Sequence, residues 1–443
     1  MGFRGSISSV EFVLVARLVR TMLFLCAIAV AQNVNQPGYG ITSAGKNVGT
    51  GSYGSTYFGE TSGTLSNGYS NTFMGSSSGR NNRASNGVFM GANSGYYNTT
   101  GANNSFVGYY AGYKNTSGYR NVFMGSQAGY HNTTATYNTM LGDRAGYYTT
   151  TGSRNTFVGK LSGYKNSTGY ENTLMGGDAG YNNTSGYRNT FIGYISGNRN
   201  TTGKYNTFMG YQSGYYNTTA SYNTFIGHQS GLNNTTASYN TFIGMYAGRS
   251  SKTGSNNTLL GSYAGYKLVS GTGNVFLGRQ AGYNETGSNK LYIDNSSTTA
   301  PLIYGNFSSN QLGVNTNYIP SGFAFAVKGK VISEEVKIKA YSGWSDFVFY
   351  EDYQLPTLNE VENHIKEKGH LKDIPSAEEV KQDGFFLGEM DAKLLQKIEE
   401  LTLYTIQQQK ELNEQQKELE QEKNKNTNLE ARLVKLEKLF LKE

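Results

Sequence analysis

Between residues 57 and 288 the apolar positions follow neither a helical period nor the alternation of a long strand; they return once every 17 residues. The unit is short and sharply patterned, as in Asn223-Thr224-Phe225-Ile226-Gly227. Its glycine stands at Gly91, Gly108, Gly125, Gly142, Gly159, Gly176, Gly193, Gly210, Gly227, Gly244, Gly261 and Gly278, and Gly59 and Gly75 continue the series at spacings of 16. A small-Gly-Tyr triplet such as Ala128-Gly129-Tyr130 follows, then an Asn/Thr corner such as Asn217-Thr218-Thr219. A unit of this size cannot enclose a core alone, so it must be one coil of a stack. Thr, Phe, Ile and Val favour the strand, whereas Gly and Asn tolerate the positive φ of tight corners. The pattern predicts an all-β solenoid, or β-roll, of 14 coils over 57–288, about 65 Å long at ~4.8 Å per coil.

Side chains alternate along a strand, so Thr224 and Ile226 share one face and Asn223 and Phe225 the other. Both faces carry an apolar column, one of Ile, Met, Val and Leu and one mostly of Phe. One column can fill the coil, and the other would be a stripe too large to leave in water. The expectation is that the rings of Phe157, Phe191, Phe208, Phe225 and Phe242 lie between subunits. The tyrosine column Tyr96, Tyr113, Tyr130, Tyr147, Tyr164, Tyr181, Tyr215, Tyr266 and Tyr283 is read as a structural ladder in preference to a sugar-stacking surface.

After Gly287 the repeat stops. Short apolar runs predict a β connector over 289–325, one or two strands within 326–339, and helices capped by Thr357 or Asn359 and by Ser376, together a small α+β domain over 326–389. From 390 to 443 a heptad emerges, through Leu394, Ile398, Leu401, Thr405, Gln408, Leu412, Gln415, Leu419, Glu422, Asn426, Leu429, Leu433, Leu436 and Phe440. Neither Gly nor Pro interrupts it, and it predicts a coiled coil about 80 Å long. Ile398, Leu401, Leu412, Leu419, Leu429, Leu433 and Leu436 are its candidate oligomerisation residues.

Composition and charge then restrict function. Arg17 and Arg20 precede an apolar run over 22–31 ending Ala29-Val30-Ala31, the form of a cleaved signal peptide over 1–31, with 32–56 as an N-terminal segment. Cys26, the single cysteine, lies in that leader, so disulfides are not expected in the mature chain. Past the leader no run is apolar enough for a transmembrane span. Residues 1–320 carry 20 basic and seven acidic residues, whereas 321–443 carry 18 and 24. A basic body could attract acidic glycans or nucleic acid, but the basic residues are scattered, which reads as solubilisation of an otherwise uncharged surface, and no nucleic-acid partner is expected. His131, His228, His364 and His370 are isolated, and no nucleophile–base or metal-ligand motif occurs, so no enzyme activity, cofactor or metal is expected.

The Asn-Thr-Phe-Ile-Gly units followed by Ala-Gly resemble the head repeats of trimeric autotransporter adhesins, and more closely the repeat-containing surface and tail-fibre-like proteins of Bacteroidetes. Trp344-Ser345-Asp346-Phe347-Val348-Phe349, Gly369-His370-Leu371, Ile374-Pro375-Ser376-Ala377 and Leu387-Gly388-Glu389-Met390 are distantly similar to endosialidase-type intramolecular chaperone domains. The resemblance implies a secreted or cell-surface fibre or adhesin, a homotrimer, and a surface glycan or host-cell ligand. The alternatives are a tail-fibre-like protein with a self-cleaving chaperone domain, and a structural sheath component without ligand. Phe347-Val348-Phe349 stand where that chaperone family has basic residues after Ser-Asp, so self-cleavage at Ser345 is not expected.

Overall fold

The computed structural model describes residues 42–45, 48–49, 53–339 and 344–441. The expected signal peptide, Cys26 and part of the N-terminal segment lie outside the described residues. The chain divides into one unit ending at Val331 and a second beginning at Ile332.

The first unit is a β-solenoid. Sixteen parallel strands, from Thr42–Ala44 to Lys290–Ile293, stack in sequence order, each pairing with the next coil. Through Val275–Leu277 each strand is three residues long, because the glycine after the Ile position turns the chain. Register is constant, with Phe208 opposite Phe225 and Phe225 opposite Phe242. Two hydrogen bonds per coil border each strand, as when Thr207 N–H donates to the Asn223 carbonyl and Gly210 N–H to the Ile192 carbonyl, both at 2.8 Å. The stack extends beyond the predicted coils at both ends: Thr42–Ala44 lies in the expected N-terminal segment, and Lys290–Ile293 in the expected connector. Two antiparallel strands, Ile303–Asn306 and Gln311–Val314, then follow, and Phe325–Val327 pairs parallel to the second of them.

Which face is inside differs from the expectation. The Phe column fills the coil of a single chain: Phe157, Phe191, Phe208, Phe225 and Phe242 have no exposed surface. These rings therefore have no area to offer another subunit. Phe191, Phe208, Phe225 and Phe242 stack on one another at 4.8–4.9 Å with their planes within 14°. The outward face carries Thr and the Ile/Met column, half-buried to exposed, with Met74, Met124, Met175, Met209 and Ile243 at 37–43%.

The interior is also polar. Asn189 has no more than 1% of its surface exposed; its amide donates to the Gly203 carbonyl at 2.9 Å and its Oδ1 accepts from the Asn206 backbone N–H at 3.0 Å. Beside it, sharing the same carbonyl acceptors, a second column runs amide to amide, with Asn200 donating to the Gly203 carbonyl at 3.1 Å and to Asn183 at 2.7 Å, and Asn217 to Asn200 at 2.8 Å. An amide is both donor and acceptor, so identical residues can chain without leaving a charge or an orphan group behind.

The second column breaks where the sequence substitutes it. Thr149 follows Asn132, Ser251 follows Asn234, and the buried Oδ1 atoms of Asn132 and Asn234 have no hydrogen-bond partner. Thr149→Asn is expected to raise stability by about 1–2 kcal/mol, the cost of leaving a buried acceptor unpaired. The urea midpoint would move upward; an unchanged or lower midpoint would contradict the ladder.

In the second unit the chain forms a 3-10 turn (Ser345–Phe349), α1 (Leu358–Lys368), α2 (Ala377–Asp383) and α3 (Leu387–Phe440). Thr357 caps α1 and Ser376 caps α2, each in a reciprocal capping box with Glu360 and Glu379, and Gly369 ends α1 in the left-handed conformation. Among its described residues the second unit has no strand; the β-favouring residues of 326–339 contribute only to Phe325–Val327 of the first unit, which finds a partner edge at Gln311–Val314.

Candidate functional site

Three surfaces of the coil carry side chains that can meet a partner. One is built by residues forced into the left-handed region at a corner. Arg120, Tyr137, Arg154, Glu171, Arg188, Tyr205, Tyr222 and Tyr239 all have φ between 54° and 62°. On this corner Glu171 engages two of the three arginines. Arg188 donates to Glu171 at 2.7 Å and to the Tyr205 hydroxyl at 2.6 Å, and Arg154 lies 3.8 Å from Glu171. Tyr205, Tyr222 and Tyr239 continue the column as stacked rings 4.9–5.0 Å apart.

The second edge carries the tyrosine column expected from the sequence. From Tyr96 to Tyr181 six rings follow one another at 4.9–5.4 Å, the last five stacked within 22°. Tyr266 and Tyr283 repeat the arrangement at 5.1 Å. Each ring covers its neighbour's face, so a ladder residue within the column cannot offer that face to a sugar. Burial pushes the Tyr113 hydroxyl up to about 12, aided by its hydrogen bond with Tyr97, and burial also raises Tyr130, Tyr147 and Tyr164. These four hydroxyls therefore stay neutral at physiological pH. Basic side chains lie over it: Lys114 over Tyr130, Lys165 over Tyr181, Arg199 over Tyr215 and Lys267 over Tyr283, at 5.5–5.7 Å from the ring centres.

The third surface is the outward strand face, with its Thr and Ile/Met columns. Sequence alternation had pointed to such a stripe but assigned it to the wrong column.

Many Asn-x-Ser/Thr sites occur, yet the asparagines of the corner series, including Asn98, Asn115, Asn183 and Asn217, are fully buried in the amide ladder. In the folded coil they are closed to modification.

In the second unit Ser345 is buried, and its hydroxyl donates to the Ala392 carbonyl of α3. A cleft of about 600 Å³ between α1 and the start of α3 is lined by Pro356, Glu360, His364, Lys397 and Glu400, among others. Its carboxylates are already engaged, Glu360 in the α1 cap and Glu400 with Tyr353 at 2.6 Å and Lys397 at 3.0 Å. Among the described residues no group of three His, Cys, Asp or Glu side chains is placed to hold a metal ion, and no helix is long and apolar enough to cross a membrane.

The heptad residues Ile398, Leu401, Leu412, Leu419, Leu429, Leu433 and Leu436 lie on α3 and are 49–62% exposed. Tyr353 and Tyr404 tie the preceding segment to the first third of α3, where Glu399 and Glu400 are buried. From 405 to 439 every described residue of α3 is exposed.

No protein-family model, curated protein or solved structure matches this chain.

Proposed function

We propose that this protein is an exported structural fibre or adhesin, a rigid solenoid rod held in a homotrimer by a parallel coiled coil of α3. One observation carries the reading: residues 405–439 form a continuous helix with no side chain buried in its own chain. An isolated helix about 50 Å long gains nothing from packing and is marginal in water. Its leucines recur at heptad spacing, so sister helices would bury what the single chain leaves open. Thr405, Gln408, Gln415 and Asn426 at core positions lower stability but fix register and strand orientation. In the first unit, the Met74–Leu277 side of the sheet is the surface a sister solenoid would cover. Export rests on the leader expected over 1–31, and adhesion on the fibre resemblance.

The mass of the mature protein in solution tests the assembly. A particle of three chains is expected, set against 48.4 kDa for the full-length chain. Leu419→Glu with Leu433→Glu is expected to leave single chains with the solenoid's β signal intact. A wild-type protein that sediments as one chain at micromolar concentration would sink the proposal.

A further inference from the structure

The tyrosine edge differs from the rest of the rod in its charge. Its two adjacent columns run from Arg80 to Asn284 and carry Arg80, Lys114, Lys165, Arg199, Arg249 and Lys267 with neither Asp nor Glu. The partners of these cations are neutral: Lys114 meets His131 at 3.3 Å, Lys165 the Asn182 Oδ1 at 2.9 Å, and Arg249 the Tyr266 hydroxyl at 3.3 Å and the Gln229 Oε1 at 3.1 Å. The other aromatic corner, by contrast, holds a carboxylate, Glu171, between Arg154 and Arg188, although its Arg120 and Lys204 lie over the Tyr137 and Tyr187 rings.

From Arg80 to Arg249 the cations fall two or three coils apart, so they repeat every ~10–14 Å along a straight line. A line of fixed positive charges with hydroxyls between them is complementary to a linear polymer that carries anions at intervals and hydroxyls elsewhere. The coil rise is close to the length of one pyranose in an extended glycan. Single-stranded nucleic acid fits less well, because it is gripped by bases stacking on free aromatic faces, and here neighbouring rings cover those faces at about 5 Å.

We propose that this edge is a track for an acidic polysaccharide lying along the rod, with Lys114, Lys165, Arg199 and Arg249 as its anion contacts. The proposal rests on the adhesin reading and names the ligand class for it.

The test uses the full chain with polygalacturonate, with dextran as the neutral polymer and single-stranded DNA as the competitor, by affinity electrophoresis in low and high salt. Polygalacturonate is expected to bind, dextran not, and binding to fade as salt screens the charges. Lys165→Gln with Arg199→Gln is expected to weaken binding about tenfold. Arg154→Gln with Lys204→Gln removes the same charge from the other corner and is expected to change binding less than about twofold. Equal loss in the two double variants would reduce the effect to net charge and overturn the track, as would preferred binding of DNA or no binding of polygalacturonate. Particle mass measured on the same samples separates the two readings: trimers that bind no polygalacturonate sink the track alone, and single chains that bind it sink the fibre alone.

Discussion

Gly193→Ala is expected to break the solenoid between two coils. Gly193 has φ of +130°, a conformation that side-chain-bearing residues rarely adopt, and a Cβ there would stand 2.5 Å from the Gly210 carbonyl oxygen and 2.7 Å from its carbon. The obstacle is backbone of the next coil, so no side chain can swing aside. Separating the coils would sacrifice the bond from Gly210 N–H to the Ile192 carbonyl. Backbone strain, the clash and the lost ladder bond together are expected to cost about 4 kcal/mol or more. A solenoid is held by nearest-neighbour contacts, so the loss should uncouple the two halves and split denaturant unfolding into two transitions. Gly177→Ala is the control. Its Cβ would meet only the Tyr194 ring, at 3.1 Å, and its φ lies outside the left-handed range. That variant should stay within about 0.5 kcal/mol of the parent. Equal effects at the two glycines would refute the close-approach argument.

Phe208→Ala should cost about 3–5 kcal/mol, the range for truncating a large buried aromatic side chain. The ring is fully buried and is stacked on Phe191 at 4.8 Å and Phe225 at 4.9 Å, so both neighbours lose a partner with it. The dependence on protein concentration is decisive. A ring inside one coil destabilises the chain equally at all concentrations, whereas a ring between subunits would shift the association equilibrium. Unfolding midpoints across a hundredfold dilution series should give the same difference between variant and parent; a difference that grows on dilution would return the Phe column to a subunit interface.

Much of the first unit is legible without coordinates. The 17-residue spacing, the strand ending at each glycine and the tyrosine ladder all follow from which residue types tolerate extended or left-handed backbone. Local hydrogen bonding makes Thr357 and Ser376 equally readable, since a Ser or Thr followed three residues later by Glu satisfies two backbone donors wherever the helix sits. Strands in 326–339 were less readable, because β-favouring residues there form a strand only where an edge is free to pair with them.

The inside and outside of the strand were not legible, and the reason is particular. Phe225 shares its face with Asn223, while Ile226 shares its face with Thr224, so each face pairs an apolar with a polar residue. By transfer energy an unpaired asparagine belongs in water, and that makes the Phe–Asn face look external. Stacking reverses the balance. Asn223 donates to the Ala237 carbonyl at 2.9 Å and accepts from the Asn240 N–H at 2.9 Å, so its burial leaves no group unpaired. The sequence alone determined that the chain must pile short coils with one strand each, because period and residue type are local properties. Only the tertiary structure decided which side of that strand is the core, because the asparagine's partners lie one coil away and exist only once the coils have stacked.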